Sequence, residues 1–290
     1  MRWSAALAGR GCFGKDVGTV RRPRIADERH RTQCVYRDAG WLSARLPRPK
    51  AVCVVAAHWV TTGARVLSSA HPKTIPDFYG FPRPLYEVQY PAPGAPDEAK
   101  EVARDPEIAA DDQWGLDHGS WSVLRHMYPQ ADVPAFQLSL DERRSFKEHL
   151  ELGHEIQSLR ERGVLILGSG NIVHNLSRMD WDNPSGAYDW AVEFDAKVKE
   201  AVEAHDANSL AQPQQWGEAL LATAHPSVEH YLPLLYCMGS SDERDRVSYP
   251  YEGFDFASIS MRMILFGEPE TVDLMRARSF PSPEERLRSG

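Results

Sequence analysis

The sequence lacks several things, and each absence narrows what the protein does. No apolar run approaches the roughly 18 residues that a membrane-spanning helix needs, so no transmembrane segment is expected. Cysteine is scarce. Cys12, Cys34, Cys53 and Cys237 are scattered without a metal-binding spacing, a usage that fits reduced thiols in a cytosol better than a disulfide framework. Positive charge is in deficit: 33 Lys and Arg stand against 41 Asp and Glu, a net charge of −8. That balance argues against generic nucleic-acid binding, which needs a basic surface. There is no Walker or dinucleotide fingerprint, and no zinc-finger or H-E-x-x-H spacing. The G-x-S-x-G elbow is also absent, so "GSG" at 168–170 supports a Ser169-centred hydrolase only weakly.

What is present describes an ordinary globular protein with an odd beginning. The 290 residues are enough for one large domain with a full core. Their 42% hydrophobic and 26% charged content is typical of soluble proteins. The charge is unevenly placed. Residues 1–34 hold eight Lys and Arg against three Asp and Glu, leaving 25 against 38 for the rest. A change of character therefore falls near Cys34, and an Arg-rich, acid-poor leader is one reading of it.

Beyond that boundary the pattern is α/β. "AVCVVAA" (51–57), "VPAFQLSL" (133–140) and "VLILGSG" (164–170) are short apolar runs, like strands buried on both faces. Residues 141–163 read as an amphipathic helix with Asp141 as N-cap and Gly163 as C-cap. Residues 187–205, "EALLATA" and "HYLPLLYCMG" read as further helices, and "ASISMRMILFG" as a late strand. Alternating strands and helices imply a single α/β domain, a mainly parallel central sheet with helices on both faces. Ligands then bind off the carboxyl ends of the strands. The segment 71–97 is rich in Pro, Gly and Tyr, a long loop of the kind used for binding.

Eleven histidines must be sorted, and by default any one is solvated or a hydrogen-bonded core residue. His149, His154 and His205 fall on polar helix faces and are expected in solvent, while His71 and His225 precede prolines in loops. Four are better placed. His58 ends a buried strand, His174 follows the strand-to-loop "GSGN", and His118 lies in "GLDHGS", where Gly115 and Gly119 permit close approach to a ligand. His230 precedes a very apolar helix, where a polar group needs a partner.

These residues lie in longer motifs. "AAHW", "TIPDFYGFPRPLYEVQYPAPG", "WGLDHGSWSVLRHMYPQADVPAFQLSLD", "LGSGNIVHNL" and "EHYLPLLYCMG" together resemble the 4,5-DOPA extradiol dioxygenase family, of the class III, protocatechuate 4,5-dioxygenase type. The resemblance runs from about Val35 to Gly267. It implies one non-haem Fe(II) or Zn(II) per chain at the carboxyl edge of the sheet. The implied partners are a small catechol-type, DOPA-like aromatic diol and O2. By motif, His58 and His230 are the implied metal ligands, with Glu229 as a substitute for the latter. His174 is the implied acid/base, with a pKa near neutrality, and His118 faces substrate and dioxygen as a donor. Tyr79, Phe81 and Tyr90 in the proline-rich loop are candidates to wall an aromatic ring. A zinc-dependent hydrolase using the same histidines, or an inactive relic of the fold, stays open as an alternative.

Members of that family begin with an apolar strand followed by GHGSPMN, whose histidine is the implied first metal ligand. Here the matching place reads "RRPRIADERHRTQC" (21–34). Codons for Arg22 to Cys34 exist whose reading, displaced by one base, spells GHGSPMNAIEHN. A transit peptide would precede the first strand rather than replace it. The expectation is therefore an aberrant segment 1–34, out of frame from about residue 18, before a catalytic domain 35–290. Such a chain would lack the first ligand and the strand before it, and would be metal-poor and poorly stable.

Overall fold

The β-branched runs assemble as a sheet whose middle is dry on both sides. The computed structural model describes residues 3–8, 39–40 and 42–267. The basic run at 21–34, with Cys12 and Cys34, lies outside the described residues. In chain order the strands are β1 Trp3–Ala8, β2 Ala51–Thr61, β3 Arg65–Leu67, β4 Lys73–Thr74, β5 Ala109–Asp111 and β6 Gly115–Leu116. They continue with β7 Ala135–Asp141, β8 Val164–Gly170, β9 Arg246–Ser248, β10 Phe254–Asp255, β11 Ile259–Ser260 and β12 Ile264–Gly267. Eight form one sheet in the order β5-β3-β7-β2-β8-β1-β12-β9. Its centre, β7-β2-β8-β1, is parallel. Antiparallel pairs lie outside it, β3 on β7 and β12 on β1. Val52 to Ala56 are fully buried, as expected of a strand covered on both faces.

One expectation is overturned. The place beside β8 is not empty: Trp3–Ala8 runs parallel to β8 and antiparallel to β12. Both neighbours thus find backbone partners, and the cost of an unpaired strand edge does not arise.

The motif "GSG" serves packing. Successive strand residues point to opposite faces. A Cβ on Gly168 would lie 2.7 Å from the Pro233 carbonyl oxygen, and one on Gly170 2.3 Å from that of His230. The glycines therefore let the helix Leu232–Ser240 press against one face. Between them the Ser169 hydroxyl points to the other face and donates to the Gly119 carbonyl at 2.7 Å, on the helix His118–Met127. That hydroxyl is committed to packing, so no Ser169 nucleophile is built here.

The expected helix over 141–163 starts later than its sequence suggests. Asp141 is a buried strand end, accepting the Gly63 N–H at 2.9 Å and the Arg143 guanidinium. The N-cap is Ser145, in a capping box with Glu148, and the helix is Phe146–Glu155. It packs so tightly on Leu232–Ser240 that a Cβ on Gly153 would come within 2.8 Å of the Tyr236 Cα. The same packing corrects the reading of His149, which is buried with Nδ1 2.9 Å from the Tyr236 hydroxyl. Burial, reinforced by the nearby Arg144 cation, lowers its pKa to about 4. The unfolded chain, with an ordinary histidine near 6.5, binds the extra proton between pH 6.5 and 4. Stability is therefore lost as pH falls through that window, by about 2 kcal/mol at pH 5 from this residue. Urea unfolding at pH 7 and 5 checks this: the drop should shrink by about that amount in His149→Gln.

The loop 71–97 is ordered. β4 pairs with β6, and the Trp121 indole donates to the Ile75 carbonyl at 3.0 Å. Cys53 and Cys237 are both buried. Among the described residues, no helix is long and apolar enough to cross a membrane.

Candidate active site

Four histidines from four distant parts of the chain meet at the carboxyl edge of the sheet. His58 lies where β2 leaves its neighbours: pairing with β8 ends at Ala56–Ser169, and the register against β7 shifts between Val55 and Val60. Such an irregularity re-aims side chains at a strand end. His118 opens the helix capped by Asp117, whose carboxylate accepts the Ser120 N–H. A Cβ on Gly119 would lie 2.7 Å from His58 Cδ2, so this glycine admits the His58 ring itself. His174 and His230 are held by the segments after β8 and before the helix Leu232–Ser240. Ring centroids are 4.0 Å apart for His58 and His118, 5.2 Å for His58 and His230, and 3.6 Å for His174 and His230.

Hydrogen bonds assign protons to two of these rings. Asp77 accepts the His118 backbone N–H through Oδ1 at 2.7 Å and meets the ring Nδ1 through Oδ2 at 2.7 Å. A carboxylate there requires a proton on Nδ1, which makes Nε2 the basic nitrogen. Burial alone would raise the Asp77 pKa, but its bonds to His118 hold it below the usual range. His230 Nδ1 lies 3.1 Å from Asn171 Oδ1. Asp117 is fully buried against Gln137, and burial together with nearby Asp77 pushes its carboxyl up to about 6.

Burial also keeps the His58, His174 and His230 imidazoles neutral. It lowers the pKa of His58 to about 3, helped by His118, and that of His174 to about 3, helped by His225. The same cause, with His174 next, takes His230 well below its ordinary value. The pKa of His174 thus lies far under the near-neutral value expected from the sequence. Its ring is in the proton-accepting form throughout the physiological range, and its Nε2 is buried without a hydrogen-bond partner among the described residues.

The cluster fits a metal ion. A nitrogen ligand sits about 2.1 Å from the ion, placing two ligand rings at a tetrahedral angle about 5 Å apart. His58 and His230, 5.2 Å apart and T-shaped, match this. His174 does not: its ring is stacked nearly parallel on His230, at 11°. An ion in the plane of His230 would stand more than about 3 Å from the parallel plane, beyond bonding distance. On the other side, ligand atoms of His58, Asp77 and His118 all lie within 4.8 Å of one another, a neutral-plus-carboxylate donor set suited to Fe(II) or Zn(II).

The loop aromatics are placed differently from expectation. Tyr90 is buried, and its hydroxyl donates to the Tyr128 carbonyl at 3.0 Å. That carbonyl follows the far end of the helix His118–Met127, about 15 Å from His118 at 1.5 Å per residue, so Tyr90 belongs to the core. Tyr79 is 74% exposed. The aromatic on the site is Phe78, edge-on to His118 at 5.4 Å, with Phe81 against it at 5.1 Å. Asp77, Phe78 and Asn171 were missed at the sequence level. Each lies in a motif already singled out, but its partner is distant in sequence.

Comparison with known proteins points the same way. The family model described as the catalytic LigB subunit of aromatic ring-opening dioxygenase matches residues 26–261. A protein of Escherichia coli K12 named 4,5-DOPA dioxygenase extradiol is 41% identical over 236 residues, covering 78% of this chain and 85% of that protein. A protein of the same name from Portulaca grandiflora is 34% identical over 236 residues, covering 76% and 83%. A crystal structure of an uncharacterized Escherichia coli K12 protein superposes with a TM-score of 0.73 at 31% identity, covering 92% of this chain and all of the other.

Proposed function

Because the chain belongs to the LigB family of aromatic ring-opening dioxygenases, and so is a metal-dependent ring-cleaving enzyme, we propose that it cleaves a catechol-type, DOPA-like diol. The observation that carries this reading is the pairing of His58 and His230 at a separation suited to one shared ion, flanked by two histidines that are not equivalent to them. His58 and His230 would hold a single non-haem Fe(II) or Zn(II). Ferrous iron held there would supply open positions for the diol oxygens and for O2, and would acidify the diol.

The chain's own residues do the rest. His174, neutral and with a buried Nε2 awaiting a partner, takes a proton from the substrate hydroxyl. Its low basicity is sufficient only for a diol already acidified by binding. His118 already donates at Nδ1 to Asp77, and the carboxylate stabilises a second proton at Nε2, making the ring a cationic donor to charge developing on oxygen. Phe78 and Phe81 wall the aromatic ring, with Tyr79 at the rim. The activity is tested by oxygen uptake with DOPA and simpler catechols after loading with ferrous iron. No uptake with any of them overturns the reading.

We propose further that residues of about 18 to 34 are read out of frame and omit the first ligand; the strand Trp3–Ala8 belongs to the same sheet as the catalytic domain that resumes at about residue 35. The underlying DNA should spell GHGSP in the displaced frame; codons that do not would end the idea. Expressed side by side, the printed chain should hold at least about tenfold less metal than a frame-restored one. Oxygen uptake should fall in parallel. Equal occupancy and equal turnover would show that another residue supplies the third ligand. Because β1 completes the sheet, both chains should fold.

A further inference from the structure

We propose that Asn171 locks His230 as the Nδ1-protonated tautomer and thereby sets the affinity of the site for its metal ion; this rests on His230 being a ligand, as proposed above. Asn171 and His230 are both buried, and two bonds join them. The Asn171 N–H donates to the His230 carbonyl at 2.9 Å, and the His230 Nδ1 lies 3.1 Å from Asn171 Oδ1.

The amide has one orientation. Its Nδ2 donates to the Ser260 carbonyl at 2.9 Å, and a carbonyl can only accept. A flip would set two acceptors face to face at Ser260. Ser260 is itself anchored: its N–H donates to the Val173 carbonyl at 3.0 Å, and its hydroxyl to Asp195 Oδ1 at 2.6 Å. Asp195 is held in turn by the Arg262 guanidinium. The chain Arg262–Asp195–Ser260–Asn171 therefore presents an oxygen, not an amine, to His230 Nδ1.

A neutral imidazole has one donor nitrogen and one acceptor. With the oxygen of Asn171 on Nδ1, the proton must be there, and the lone pair for a metal is on Nε2. The bond also fixes the ring's rotation, and with it the parallel stack on His174. Asn171 touches neither substrate nor the reacting atoms. It is a positioning residue, and partners of this kind are worth about 10–100-fold in metal affinity.

The test uses the full chain and zinc, a diamagnetic probe. Zinc affinity is measured by chelator competition for the wild type, Asn171→Leu, Asn171→Asp and His230→Ala. The His230 tautomer is read from imidazole 15N shifts in the metal-free proteins. Leucine fills the space and accepts nothing. Asn171→Leu should lose about 10–100-fold in affinity and show a mixture of tautomers. Asn171→Asp keeps an acceptor on Nδ1 but sets a carboxylate oxygen against the Ser260 carbonyl; it should lower stability, yet keep both the tautomer and an affinity within a few-fold of wild type. A merely structural role would penalise both substitutions and leave the ring's tautomer unmoved. If Asn171→Leu does not fold, Asn171→Ser, too short to reach the ring, carries the same expectation. Unchanged affinity and tautomer in Asn171→Leu, with affinity lost in His230→Ala, overturn the role of Asn171 alone. Unchanged affinity in His230→Ala overturns the ligand assignment, and the inference with it.

Discussion

Replacing His58 and His230 together with alanine is expected to abolish metal binding. Those two rings are separated as two ligands of one ion are, at 5.2 Å and edge to face. The donors left behind are already engaged, since the Asp77 carboxylate binds both the backbone N–H and the ring Nδ1 of His118. A metal there would have to compete with that bond. The loss should exceed the roughly 10–100-fold typical of removing a supporting partner, because ligands themselves are removed. Metal content after gel filtration, and chelator competition, measure it. The substitutions lie at the edge of the sheet, so the fold should persist, and circular dichroism should be unchanged. Undiminished metal in the double variant would show that the ion sits elsewhere.

His174→Ala is expected to separate metal from turnover. The ring stacks parallel to His230 at 3.6 Å and so cannot share an in-plane ion with it. Its buried Nε2 has no partner among the described residues, the state of a base waiting for a substrate proton. Metal content should remain within a few-fold of wild type, while turnover falls by about 10²–10⁴, the usual worth of a positioned acid/base. The comparison is made on the frame-restored, iron-loaded enzyme, by oxygen uptake at saturating catechol. Wild-type turnover would remove His174 from the mechanism, and loss of the metal would make it a ligand.

The sequence by itself determined the parts whose signals are local. A short, largely apolar run bounded by turn signals is consistent with a strand buried on both faces, and β2, β7 and β8 lie where those runs are. Long motifs likewise singled out His58, His118, His174 and His230, and the fold brings all four together. What only the tertiary structure decided are the partners. Asp77 is 41 residues from His118, and Asn171 is 59 from His230. No period or spacing reports a contact at such range, yet those contacts assign the protons. The short apolar run Trp3–Ala8 carries no signal of its own. It becomes a strand because the open edges of β8 and β12 offer it two sets of backbone partners. His149 sits in a polar-looking helical stretch, and its burial is set by a helix that crosses it from residues 232–240. Tyr90 and Phe78 share one aromatic loop. Only its path over the helix His118–Met127 sends the first into the core and the second onto the site, because burial is settled by what packs opposite a residue rather than by its neighbours in the chain.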